Sequence, residues 1–260
     1  MTNGSFDLKG ARILVTNDDG IHAPGLAVLE SIARELSDDV WVVAPESEQS
    51  ATSHSLTLRR PLRSRKFADQ RYSIDGTPTD CVLVAIKKLL KDKPADIVLS
   101  GINHGANLGE DVTYSGTVAA AMEAALLGTR AIAFSQVRTR DEKISWEVPK
   151  RFAADIIRSL STIDWTPELL INVNFPAVRP EDVKGIRTCR QGRRTLGTEL
   201  VDGVDPSGRP YVWVGQFLSH SSLNTKSDLT AIEEGAISVT PLHLDLTHSQ
   251  SMQTLTDLFA

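Results

Sequence analysis

Short runs rich in β-branched residues alternate with stretches of helical periodicity through the first two thirds of the chain, and that alternation leaves few folds open. Runs at 12–16, 40–44, 96–100, 131–135 and 169–173 are the strand candidates. Between them, Leu26, Leu29, Ile32, Ala33 and Leu36 share one helical stripe, Val82, Ala85, Ile86, Leu89 and Leu90 a second, and Val118, Ala121, Met122, Ala125 and Leu126 a third. The pattern predicts an α/β fold: a mainly parallel sheet flanked by helices, with these apolar positions as its core.

After about residue 180 the texture changes to arginines, glycines and period-two alternation. In "GRPYVWVGQ" (208–216), Tyr211 and Trp213 take one face and Val212 and Val214 the other. This reads as a β-hairpin turning at Asp205, Pro206, Ser207 and Gly208. A long hairpin projecting from an α/β body is marginal alone, so it is expected to pack on a partner subunit. "AISVTPLHLDL" then reads as a strand, followed by a short helix to the end. The expected organisation is a catalytic α/β core over 1–180 and an extension over 181–260 packed on the core and on a partner. No internal repeat, low-complexity segment or flexible linker stands out.

Composition excludes several classes. The 260 residues are 41% hydrophobic and 23% charged, as in an ordinary globular protein, and can bury a large core. A net charge of -5 provides no global positive field for nucleic acid or an anionic membrane, so a phosphate-bearing ligand must be small and held locally. Cys81 and Cys189 belong to no CxxC or Cys/His spacing, which argues against zinc and against a disulfide framework. The start "MTNGSFDLKG" lacks an apolar h-region, and no stretch approaches the ~20 apolar residues of a membrane span. The cytoplasm is the expected location.

In an open parallel sheet, ligands bind outside the carboxyl ends of the strands, which directs attention to three loops. They are "TNDDGIHAPG" after the first strand, "APESEQSATSHS" after the second and "SGINHGANLGEDVTYSGT" after the strand at 96–100. Asp-Gly is a common turn and an Asp before a helix a good cap, which is one account of Asp18 and Asp19. The other is a bound divalent cation, because adjacent carboxylates repel unless one holds them together. Asn103 and Ser50 could add neutral oxygens, and an all-oxygen set suits Mg²⁺ or Mn²⁺ over zinc. Ser115, Gly116 and Thr117 stand just before the third amphipathic helix, either as a bare N-cap or as an anion site at the positive end of the helix dipole. A metal beside an anion cradle suggests phosphate ester chemistry.

No GxxxxGK[ST], GxGxxG in context or GxSxG is present, so P-loop, dinucleotide and serine-hydrolase chemistries gain no support. His22, His54 and His104 fall one in each loop, and at least one is expected as a proton donor or substrate contact. Arg190, Arg193 and Arg194 in "RQGRR" are read as a solvated face, and Gly76 and Thr77 in "GTPTDCV" as the cap of a helix at 78–90 that Pro78 opens. Two other readings stand beside phosphatase chemistry: a nucleotide sensor without turnover, and a metal-dependent deacetylase. The deacetylase expects histidine ligands where Thr16 and Asn17 stand.

Taken in order, "ILVTNDDGIHAPGL", "VVAPESEQSATSHSLT", "GTPTDCV", "DIVLSGINHGANLGEDVTYSGTVAAAMEAAL", "NVNFP" and "ISVTPL" resemble the SurE-type survival proteins, metal-dependent nucleoside monophosphate phosphatases. The resemblance spans about residues 12–242 and carries six motifs in register. It implies a three-layer α/β/α Rossmann-like body with the hairpin and terminal helix used in oligomerisation, as a homodimer or homotetramer that exchanges C-terminal elements. It implies one divalent ion per subunit, Mg²⁺ or Mn²⁺, held by Asp18, Asp19, Ser50 and Asn103, with Asp18, Asp19 and Asn103 as the catalytic set. Ser50, Asn107, Ser115, Gly116 and Thr117 match the segments against the substrate phosphate. The implied activity is that of a 5′-nucleotidase, extending to 3′-monophosphates and short polyphosphate, by water activated at the metal; a nucleophilic Asp18 or Asp19 is the minor option, since the two are adjacent and no DxD spacing is present. His104 sits where the family pattern is loose, and the first ten residues and the tail after Leu242 match nothing.

Overall fold

The computed structural model describes residues 7–139, 141, 144–193, 197–218 and 226–260. A nine-stranded sheet runs through the molecule. Its strands are β1 (Arg12–Thr16), β2 (Asp39–Pro45), β3 (Ser64–Ala68), β4 (Arg71–Ile74), β5 (Ile97–His104), β6 (Arg130–Gln136), β7 (Leu170–Phe175), β8 (Ile186–Thr188) and β11 (Ile237–Leu242). Their order is β3-β4-β2-β1-β5-β6-β7-β11-β8. Strands β4, β2, β1, β5, β6 and β7 are mutually parallel, while β3 and β11 run antiparallel to their neighbours β4 and β7. The five strands expected from the sequence are all there and form the parallel centre.

Each central strand is covered on both faces, which is why its sequence reads as a continuous apolar run. In β1, Ile13 and Val15 enter one core and Leu14 the other. The first core lies against α1 (Pro24–Leu36) and α4 (Glu147–Leu160), the second against α2 (Pro78–Val84) and α3 (Gly116–Leu126). On α1 the buried set includes all five residues of the predicted stripe, and Pro24 opens the helix where a missing N–H costs nothing. Helix α2 passes into a π-helical turn at Ala85–Leu89. Leu126, assigned to the core from the sequence, is 53% exposed because it falls on the outer face of the last turn of α3, whose Ala124 and Ala125 remain buried. Helix α4 and the edge pair β3–β4 were not among the expected elements.

Past residue 180 the chain returns to the main sheet through β8 and β11, and α5 (Asp228–Glu233) packs on β11. Strands β9 (Gly197–Val204) and β10 (Pro210–Leu218) make a separate antiparallel hairpin, and α6 (Ser249–Phe259) closes the chain. Asp205 Oδ1 accepts the Ser207 and Arg209 amides, which fixes the turn. Tyr211 and Trp213 meet edge to face on one side of β10, as the alternation requires, and Val212 and Val214 are exposed with them. No helix among the described residues is long and apolar enough to cross a membrane.

The end of β5 is positioned by the start of α1. A Cβ built on Gly25 would lie 2.0 Å from the Ile102 carbonyl oxygen and 3.0 Å from the Trp146 ring. Only glycine lets the helix approach this closely. Gly25→Ala must therefore push α1 from β5, and the expected cost is about 1–3 kcal/mol of unfolding free energy in a urea titration; an unchanged midpoint would refute the close-packing account.

Candidate functional site

The loop after β1 is a turn that closes on itself: Asn17 Nδ2 donates to the Gly20 carbonyl, and the Gly20 amide donates to Asn17 Oδ1. This delivers two consecutive carboxylates to the C-terminal edge of the sheet. Asp18 is 5% exposed, and its Oδ1 accepts a short hydrogen bond from the Thr117 hydroxyl, joined by the Thr117 amide at the start of α3. Asp19 Oδ2 accepts the His104 amide at 3.1 Å from the end of β5. Gly116 makes the helix approach possible, since a Cβ there would lie 2.8 Å from Asp18 Cβ. Burial pushes the Asp18 carboxyl up to about 6, with the Thr117 bond opposing and the Asp19 charge adding to the rise. Burial also raises Asp19, against the pull of the His104 amide.

Strand β5 loses register with β6 between Ser100 and Asn103. The bulge re-aims Asn103, a common device beside active sites. Asn103 Nδ2 donates to the Gly105 carbonyl at 3.0 Å, which commits the nitrogen and leaves the amide oxygen without a hydrogen bond among the described residues. Ser50 Oγ donates to Glu48 Oε1 at 2.7 Å. A cavity of about 330 Å³ opens between the loops, lined by Asp18, Asp19, Ser50, Asn103, Asn107 and Ser115 together with Glu48, His104, Asp111, Tyr114 and Arg138.

Six of the eight predicted site residues thus meet at one cavity. Gly116 and Thr117 stand behind it: Thr117 is fully buried and holds Asp18, and the Ser115 hydroxyl accepts the Val118 amide as an N-cap. Of the three loop histidines, His104 lines the cavity, His22 packs edge-on against Phe67, and His54 pairs with Glu123. Sequence reasoning missed Arg138, whose Nε and Nη2 both donate to the His104 carbonyl and whose charge faces Asp19. It also left "NVNFP" without a role. Asn172 and Asn174 both donate to the Asn107 carbonyl, and Asn174 Oδ1 accepts the Asn107 amide, so this motif holds Asn107 in the cavity wall. Asp228 ties the loop to α5 by accepting the Gly109 and Gly192 amides. Arg190 and Arg193 are exposed, and Arg194 lies outside the described residues.

A family model for the survival protein SurE matches residues 13–198. The chain belongs to the SurE family. Among curated SurE relatives, the 5′-nucleotidase SurE of Paramagnetospirillum magneticum is 54% identical over 253 residues, covering 97% of each chain. The 5′-nucleotidase SurE of Rhodospirillum rubrum is 52% identical over 256 residues, covering 97% of this chain and 98% of the relative. The solved SurE protein from Aquifex aeolicus superposes with a TM-score of 0.84 at 39% identity, covering 96% of this chain and all of that one. The α/β fold expected from the sequence is the SurE fold.

The donor set suits a hard divalent cation. Two desolvated carboxylates carry the charge, and Asn103 and Ser50, which line the same cavity, bring amide and hydroxyl oxygens that a hard cation accepts. Among the described residues no three His, Cys, Asp or Glu side chains form a common cluster, so ligands beyond the two aspartates would be neutral oxygens. Without a cation, Asp18 is a liability. Its folded pKa of about 6 stands above the ordinary 3.8, so ionisation at neutral pH opposes folding by about 3 kcal/mol. The penalty is absent below the unfolded pKa, grows as pH rises from about 4 to 6, and is complete above that. Asp18→Asn, in metal-free buffer, should therefore be more stable than the parent chain at pH 7 and equal to it near pH 4 by chemical denaturation. A pH-independent difference would overturn this account.

Proposed function

We propose that this chain is a 5′-nucleotidase that hydrolyses nucleoside 5′-monophosphates to nucleoside and phosphate in the cavity at Asp18 and Asp19, with 3′-monophosphates and short polyphosphate as further substrates. The observation that carries the reading is the pair of adjacent, desolvated carboxylates opening on a cavity with neutral oxygen donors and one guanidinium. Its relatives named 5′-nucleotidase at about half identity along nearly the whole chain support the same reaction.

Asp18, Asp19, Ser50 and Asn103 would hold one Mg²⁺ or Mn²⁺ per subunit, which when bound supplies Lewis acidity to a phosphoryl oxygen and lowers the pKa of a water. The chain's own groups do the rest. The Thr117 hydroxyl and the His104 amide each hold one oxygen of a carboxylate that lines the cavity. Asn107 and Ser115 lie against the phosphate, and Arg138 offsets its charge. His104 is the histidine on the cavity wall, and its imidazole delivers the proton to the departing nucleoside oxygen. A sensor without turnover would need none of this proton handling.

The assay is phosphate release from 5′- and 3′-mononucleotides and tripolyphosphate with Mg²⁺, Mn²⁺ or EDTA. Release should require metal and be lost in Asp18→Asn; a folded parent chain inactive with every metal would refute the reading. His104→Gln should lower kcat on mononucleotides by about 100-fold and spare p-nitrophenyl phosphate, whose leaving group needs no proton. Equal losses on both would remove His104 from that role.

The same proposal includes an assembly. Leu200, Val204, Trp213 and Val214 are more than 60% exposed on the hairpin, as are Leu258 and Phe259 on α6, a larger apolar display than a monomer ordinarily carries. We assign residues 181–260 the role of an extension that packs on both the core and a second subunit in a cytoplasmic homodimer or homotetramer. Trp213→Glu should shift the sedimenting species toward monomer; an unaltered distribution in dilute solution would remove the hairpin from the interface.

A further inference from the structure

Two buried carboxylates beneath the site take no part in the reaction derived above: Asp80 on α2 and Glu123 on α3, 1% and 6% exposed. Both contact one segment, the loop 47–57 after β2, whose Glu48, Ser50 and Ala51 wall the cavity. Asp80 Oδ1 accepts the Thr57 amide at 3.0 Å, and Oδ2 accepts the Thr57 hydroxyl at 2.6 Å and the Thr77 amide at 2.9 Å. Glu123 Oε2 lies 3.0 Å from His54 Nε2. Capping of α2 accounts for the Thr77 contact alone. The two bonds from Thr57 reach across 23 positions of sequence and serve the loop.

This loop needs fastening. Ala51 and Ser53 sit at φ 56° and 55°, in the left-handed region that a side chain other than glycine's adopts only when its surroundings enforce it. The enforcing contacts bracket the strained residues. On one side the Gln49 amide donates to the Asp18 carbonyl at 2.8 Å. In the middle the Ser53 amide and hydroxyl donate to the Tyr114 and Thr113 carbonyls at 3.1 and 2.8 Å. On the other side stand His54 and Thr57, held by the two buried carboxylates.

We propose that Asp80 and Glu123 are positioning residues that keep the Ser50 loop in its cavity-walling conformation before substrate arrives. The proposal rests on the phosphatase reading above and deepens it. A loop competent only part of the time lowers apparent affinity by that fraction, while turnover at saturation is retained. The "GTPTD" segment therefore serves the active site from below, without touching substrate.

The test compares Asp80→Asn, Glu123→Gln and Thr57→Val, the last removing one hydroxyl and leaving the buried acid in place, with Thr57→Ser as the conservative control. Amide hydrogen exchange at Gln49 and Ser53, Mn²⁺ affinity by calorimetry, and KM and kcat on adenosine monophosphate are read together with Tm. The first three variants should speed exchange at both amides by about tenfold or more, raise KM and the Mn²⁺ Kd in proportion, and leave kcat within about twofold. Thr57→Ser should match the parent chain. Lowered Tm with unchanged exchange at those amides and unchanged KM would make the carboxylates purely structural and overturn the proposal. A parent chain that releases no phosphate would refute the phosphatase reading separately, and exchange at Gln49 and Ser53 would still decide the loop.

Discussion

Two carboxylates on consecutive residues, both withdrawn from water, form the constraint around which the molecule is arranged. Their mutual repulsion and desolvation work against folding, and the surrounding structure contains an answer to each. The Thr117 hydroxyl and amide hold Asp18, the His104 amide holds Asp19, and the Arg138 charge lowers the cost for Asp19. None of these restores what water gave two full charges, which leaves the pair short of positive charge. The divalent cation proposed above would supply it.

The sheet turns this local demand into a site. Strand β1 lies between β2 and β5, so the loops from all three strands open at one edge. Close packing then sets the distances. Glycine at position 25 brings α1 against the end of β5, and glycine at 116 brings the start of α3 against Asp18. Farther elements act through side chains: Asn172 and Asn174 of β7 fix Asn107, and Asp228 at the start of α5 fixes the Gly109 turn. Residues late in the sequence therefore shape a cavity whose paired aspartates come from the first twenty.

Legibility in the sequence followed the range of the interactions. The parallel strands and α1 were readable because β-branched runs and an apolar stripe are local signals, as were the paired aspartates and the Ser115 cap. Helix α4 was missed because Pro149 near its start and the charged residues around it mask a stripe that includes Val148, Ala153, Ile156 and Ile157. Edge strand β3 is exposed at every residue and has no alternation to detect. Arg138 could not be found from the chain alone, because its place depends on β6 lying beside β5, where it reaches the His104 carbonyl. Thr117 was legible as a residue at a helix start, but the bond from its hydroxyl to Asp18 was not, because it joins positions 99 residues apart.

That commitment also bears on mechanism. A carboxylate acting as a nucleophile must present a lone pair to phosphorus along the line of the departing oxygen, with freedom to form and release an ester. Asp18 has one oxygen tied to Thr117 and little exposed surface, and Asp19 has one oxygen tied to the chain at His104. Such tethering restricts attack but suits coordination, in which each carboxylate offers its remaining oxygen in a fixed direction. The raised Asp18 pKa supports the same role. A desolvated acid is costly to ionise alone and would gain most from a cation, so the burial that raises this pKa would favour the binding proposed at this position.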